Sequence, residues 1–157
     1  MIDLFNINNY IVDTSSLNNL LHGEIVCEFE ETFASYVGAK YSCFANSASS
    51  LLFLSLLGKD ATIRIPSTIP PVVPNVIANT NNKIQFYDDI EWVGHQYCLH
   101  DNLYDSAQEV TRDQYKKLND PKALVVFSFY PTKPVGGCDG GMIVSNDKEA
   151  IDWYRMM

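Results

Sequence analysis

A lysine, an aspartate and a serine-rich turn carry most of the chemical potential of this 157-residue sequence. Lys133 ends the heptad Phe127-Ser128-Phe129-Tyr130-Pro131-Thr132-Lys133, just beyond the strand-like run Ala123–Phe127. A proline and the pair Gly136-Gly137 then stop the strand. A lysine amine held at the mouth of a sheet and partly desolvated loses basicity and can form a Schiff base with a carbonyl. Taken alone, a lysine in such a connection reads as a surface residue. Asp105 closes another strand-like stretch, with Gln108 shortly after it. Its carboxylate could hold a protonated heteroaromatic nitrogen, or it could merely end the strand. In Ser47-Ala48-Ser49, ahead of an apolar helix, free backbone N–H groups and hydroxyls suit a phosphate, helped by the helix dipole. The same residues alone describe an ordinary serine N-cap.

These groups need a scaffold that brings them together, and the hydrophobic pattern supplies one. Ile25–Tyr36 reads as a helix, because Val26, Phe29, Phe33 and Val37 fall at helical spacing and Gly38 follows as a stop. Tyr41–Ala45 is strand-like, Asn46–Ser50 a small polar turn, and Leu51–Leu57 a helix apolar all round. Strands are predicted at Thr62–Ile65, Lys83–Tyr87, Ala123–Phe129 and Met142–Val144, with one or two short ones in Tyr97–Tyr104. Helices are predicted at Val72–Ala78, despite the prolines before it, at the polar Thr111–Leu118, and at Lys148–Met157. Strands alternating with helices argue for an α/β three-layer sandwich with a mainly parallel central sheet. In such sheets ligands gather at the carboxyl ends of the strands. Four polar groups fall at those ends: Asn46–Ser50, Asp88-Asp89, Asp105 with Gln108, and Ser128 through Lys133.

Composition narrows the function classes. A hydrophobic fraction of 46% and a charged fraction of 19% fit one globular domain over residues 1–157 with a real core. The net charge of −8 and the lack of any Lys/Arg cluster argue against a nucleic-acid partner. No apolar run approaches the roughly 20 residues of a membrane span, and the N-terminus has no basic-then-apolar signal pattern. Cys27, Cys43, Cys98 and Cys138 lack paired spacing and read as reduced thiols of a cytoplasmic protein. His95, Cys98 and His100 match no common zinc spacing, so no metal site is expected.

Phosphate turn, then acid, then lysine is the chain order expected of a pyridoxal 5'-phosphate (PLP) site. At that level of detail the sequence resembles the DegT/DnrJ/StrS sugar aminotransferases, a fold-type-I PLP-dependent family. Phe29–Lys40 (FEETFASYVGAK) resembles the family's opening helix, and Asn46–Leu57 its "SSGTAALHLALL" turn and helix. Tyr104-Asp105-Ser106-Ala107-Gln108 is similar to "EDAAQ", and Phe127–Asp147 to "FSFYPTK…GDGGAVVTND". The resemblance implies that Lys133 is the internal-aldimine lysine and proton shuttle, and that Asp105 pairs with the pyridine nitrogen. It places Gln108 near the ring's hydroxyl or face and gives the phosphate to Ala48, Ser49 and Ser128, with Tyr130 packed beside the site. It further implies transamination of a nucleotide-linked keto sugar with an amino donor such as glutamate, in a homodimer.

The sequence also departs from the family pattern. Ala48 replaces a glycine, and Pro134 replaces the polar residue after the lysine. Pro66–Pro71 (PSTIPP) occupies a "PSFTFV" stretch, so that Pro70 stands where an aromatic ring stacks on the cofactor. That wall is either missing or supplied elsewhere. The chain is expected to be internally shortened between about residues 88 and 105, compressed before Glu24, and to correspond to the large domain with the small domain absent. These departures motivate an alternative: a catalytically reduced binding or regulatory module, or the partner of a full-length enzyme.

Overall fold

The computed structural model describes Thr14 and residues 23–157. The compression expected before Glu24 lies outside the described residues. In chain order the elements are α1 (Glu24–Val37), β1 (Tyr41–Ala45), α2 (Ala48–Leu56), β2 (Thr62–Pro66), α3 (Val72–Asn79), β3 (Lys83–Tyr87), β4 (Tyr97–His100), β5 (Leu103–Asp105), β6 (Leu124–Ser128), β7 (Gly141–Ser145) and α4 (Lys148–Met156). A short 3-10 turn at Gln114–Leu118 is all that forms of the helix expected over Thr111–Leu118. Asp113, at φ 59°, breaks the right-handed course at its start.

The prolines before α3 prove compatible with a helix. Pro71 is its N-cap, and Pro74 sits third inside it, among the first four residues whose N–H groups have no intrahelical acceptor.

Period-2 alternation sorts β6 and β7 between two cores. Val125, Phe127, Met142 and Val144 face α1 and the 3-10 turn, whereas Val126 and Ile143 face α2, α3 and α4. Helices therefore cover both sides, giving the α/β/α sandwich expected. The pairing corrects the expectation of a mainly parallel sheet. In the five-stranded sheet, ordered β1-β7-β6-β5-β4, only β5·β6 is parallel; β1·β7, β6·β7 and β4·β5 are antiparallel. The connections explain this. Only Asp101 and Asn102 join β4 to β5, too few for a crossover, and no helix forms between β6 and β7. β2 and β3 form a separate parallel pair that lies alongside β4 without a ladder to it.

A polar brace holds the β1 end. Buried Glu30 of α1 accepts from the Phe44 N–H at 2.7 Å and pairs with Arg155 of α4, which also donates to the Ser42 carbonyl at 2.8 Å. One carboxylate thus ties a helix from each face onto the same strand.

Candidate functional site

The heptad's alternation decides what each residue does. Phe127 and Phe129 point into the α1 side, where their rings meet Phe33 edge-on at centroid distances of 5.0 and 5.2 Å. Ser128, between them, faces the other way, on the side that Asp105 shares at the end of the neighbouring β5. After Ser128 the chain folds back: Lys133 N–H donates to the Tyr130 carbonyl at 2.9 Å, and Phe129 exchanges hydrogen bonds with Gly137 and Gly140. This closed loop returns Lys133 over the strand ends.

The N-terminus of α2 arrives at the same place because the start of β7 lets it. A Cβ on Gly141 would lie 2.3 Å from the Ala48 nitrogen, and Ser47 bridges Gly140, whose φ of +125° disfavours any other residue. Gly140 and Gly141 thus serve the turn as much as the strand. Ser47 is the N-cap, its hydroxyl accepting from the Ser50 N–H at 3.1 Å. The ordinary serine reading therefore holds for Ser47, while Ala48 and Ser49 line the cavity.

One cavity of about 70 Å³ is lined by all six residues singled out in the sequence: Ala48, Ser49, Asp105, Gln108, Ser128 and Lys133. It adjoins a cleft of about 430 Å³ that shares Ala48, Ser49, Ser128 and Lys133 and adds Tyr130, Thr132 and Asp139. Asp105 is buried, with Oδ2 accepting from the Tyr97 hydroxyl at 2.7 Å and Oδ1 from the Ala107 N–H at 2.9 Å. Burial raises its pKa above the usual carboxylate range, against the Tyr97 and Ala107 hydrogen bonds and the Lys133 charge, which pull it down. Gln108 accepts from the Gly94 N–H at 3.0 Å, which pins the loop before β4. Ser128 accepts weakly from Tyr130 N–H at 3.3 Å, leaving its own proton free to donate.

Asp88 and Asp89 stay outside this cavity. Asp88 accepts from the Ser67 hydroxyl, and Asp89 binds the Glu91 N–H through its carboxylate and the Thr68 hydroxyl through its carbonyl. They fasten the Pro66–Pro71 stretch to the segment after β3. His95 lines the cavity, whereas Cys98 and His100 line a different depression beside Arg64, so the three do not converge.

Pro70 lines the cavity as expected, and the aromatic groups there come from residues the motif reading did not select: Trp92 and Tyr97. Trp92 is buried, its indole N–H donating to Thr68 at 3.0 Å, and its ring meets Tyr97 edge-on at 5.6 Å. A signal for Tyr97 existed: a strand turned at Asp101-Asn102 sets Tyr97 opposite Asp105.

A cavity at strand ends, with a helix N-terminus and hydroxyls on one side and a buried acid on another, is where α/β sandwiches bind phosphorylated ligands. The comparison with known families is consistent with that. The sequence model of the DegT/DnrJ/EryC1/StrS aminotransferase family matches residues 5–91 and 103–157, and the chain belongs to that family. Residues 92–102 are unmatched. Among curated relatives, the chain is 26% identical to a UDP-4-amino-4,6-dideoxy-N-acetyl-β-L-altrosamine transaminase of Campylobacter jejuni, covering 88% of this chain and 48% of that protein. It is 28% identical to the spore coat polysaccharide biosynthesis protein SpsC of Bacillus subtilis, covering 94% and 48%. The chain spans about half the length of these relatives. In structure it is similar to Helicobacter pylori PseC, an aminotransferase involved in the biosynthesis of pseudoaminic acid, with a TM-score of 0.65 at 18% identity, covering 97% of this chain and 55% of that one. Among the described residues no helix is long and apolar enough to cross a membrane.

Proposed function

We propose that this chain is a PLP-binding domain, internally shortened between about residues 88 and 105, that serves transamination of a nucleotide-linked keto sugar in the cytoplasm. The observation that carries this reading is the convergence of Ala48, Ser49, Asp105, Gln108, Ser128 and Lys133 on one cavity, although they come from three separate stretches of the sequence. The donor set suits the cofactor: a helix N-terminus with two serine hydroxyls for a phosphate, a buried carboxylate for a ring nitrogen, and an amine beside both.

When bound, the cofactor supplies an aldehyde that condenses with amines, losing water, and a pyridinium that takes up an electron pair. The protein's residues do the rest. Lys133 Nζ is the amine that would hold the aldehyde, and with an amino donor such as glutamate bound its free amine would serve as the acid-base group beside the reacting carbon. The Asp105 carboxylate would pair with the protonated ring nitrogen. The first turn of α2, Ser49 and Ser128 would hold the phosphate, and Gln108, whose carbonyl oxygen is taken by Gly94, would offer its amide N–H pair to the ring's hydroxyl. The keto-sugar substrate is carried over by analogy with the activities of the relatives. The same reading pairs two copies of the chain, and exposed Ile25, Phe29 and Val135 around one groove offer an apolar surface for that.

The test is the yellow absorbance of the purified protein with added PLP. Its presence in the unmodified chain and loss in Lys133→Ala, with the fold retained by circular dichroism, is the expected result. Colour that never develops, or that survives the lysine substitution unchanged, sinks the assignment. Colour that forms but does not bleach with glutamate or other amino donors favours the binding or regulatory module over the enzyme.

A further inference from the structure

We propose that Tyr97 is a positioning residue for the site: its hydroxyl aims the Asp105 carboxylate at the place of the cofactor's ring nitrogen, so that residues 92–102 do part of the site's work. This inference rests on the PLP reading above and adds to it a residue from the segment that the family model leaves unmatched.

The geometry begins with register. Tyr97 lies opposite Asp105 in the β4–β5 hairpin, which puts both side chains on one face of the sheet. With Oδ2 held by Tyr97 at 2.7 Å and Oδ1 by the Ala107 N–H at 2.9 Å, the carboxylate plane is set from two directions. Each oxygen keeps further acceptor capacity, so a third donor in the cavity can still be bound. Tyr97 is itself held. Its ring rests edge-on against Trp92, whose indole N–H donates to the Thr68 hydroxyl at 3.0 Å, and Thr68 donates to the Asp89 carbonyl at 3.1 Å. A relay of side chains thus runs from the Pro66–Pro71 stretch to the cavity's acid.

Electrostatics gives the contact a consequence beyond packing. Burial favours the neutral form of Asp105, and the Tyr97 hydrogen bond is the largest influence opposing that. Only the ionised form pairs with a protonated ring nitrogen. Burial and the neighbouring carboxylate push the Tyr97 phenol well above its ordinary pKa, so it stays a donor at every working pH. The titratable groups facing the pair are Lys133 from the loop after β6, His95 from the loop before β4, and Tyr87 of β3 beside Tyr97.

A buried tyrosine hydroxyl needs some partner in any fold. A purely structural bond would change stability and leave the cofactor untouched. The discriminating experiment measures PLP affinity by absorbance titration for the full chain, Tyr97→Phe, Asp105→Asn and the double variant, from pH 8 down to pH 5. Loss of a hydrogen bond to a charged group weakens binding about tenfold. Tyr97→Phe is expected to show that loss, growing as the pH falls because the acid is protonated sooner without its donor. In the Asp105→Asn background the same substitution is expected to add little. Losses that add in the double variant, or a Tyr97→Phe deficit independent of pH, overturn the inference alone. Absence of PLP binding by the unmodified chain overturns the cofactor reading, and this inference with it. Should Tyr97→Phe not fold, Trp92→Phe removes the tether to Thr68 while keeping a ring, and it is read in the same cycle.

Discussion

Ser128 and Tyr97 line the same cavity but are held there by different means. Ser128 ends a central strand laddered on both sides, β5 on one flank and β7 on the other, with Phe127 and Phe129 anchored beneath it. Tyr97 sits on β4, the outer strand of the five-stranded sheet, and is fixed by side chains: Asp105, Trp92 and, through it, Thr68. The heptad side of the cavity is set by backbone, in close contacts that leave no room for adjustment. The other side is set by hydrogen bonds that individual substitutions can loosen one at a time. The family model matches the heptad throughout, whereas on the other side it matches Thr68 and Asp105 and leaves Trp92 and Tyr97 unmatched.

Substitutions can break this contrast in graded steps. Gly141→Ala places a Cβ 2.3 Å from the Ala48 nitrogen. It should cost about 3 kcal/mol or more in denaturant melts, and it should abolish PLP-dependent colour in whatever folds, because the α2 turn is displaced. Arg155→Ala leaves the buried Glu30 carboxylate without its cation. A loss of about 2–3 kcal/mol is expected, with PLP affinity nearly unchanged, since the brace lies at the β1 end. Thr68→Ala removes the tether of Trp92 together with the hydroxyl's bond to the Asp89 carbonyl and should cost about 1 kcal/mol in stability. Its diagnostic is a weakened PLP titration despite that small cost. Equal stability costs for Gly141→Ala and Thr68→Ala would erase the distinction between a backbone-built and a side-chain-built wall.

Legibility in the sequence followed the same divide. β1 and β3 occupy the spans read from alternation and bounding turns, and Asp105, Ser128 and Lys133 were visible as polar residues at strand ends. The five-stranded sheet is not mainly parallel, because strand direction depends on how many residues join two strands, which hydrophobic patterning does not report. A two-residue turn after His100 forces β4 antiparallel. The polar stretch Thr111–Leu118 had helical composition, but Asp113 adopts a left-handed conformation that composition does not reveal. Trp92 and Tyr97 carry no local motif, because their roles depend on cross-strand register and on a loop folding over the strand ends. Asp88-Asp89 misled for the opposite reason: carboxylates at a strand end, they are spent on Ser67, Thr68 and the Glu91 N–H.

The missing ladder between β4 and the β2–β3 pair has a thermodynamic consequence. Pro70, Val72 and Val73, which cover the cavity, follow β2, whereas Asp105 and Ser128 end strands of the five-stranded sheet. Roof and floor therefore belong to separate hydrogen-bonded bodies joined by apolar packing and a few side-chain bonds. Any molecule seated between them acts as a rivet, and it stabilises the folded chain by an amount that grows with its concentration relative to its dissociation constant.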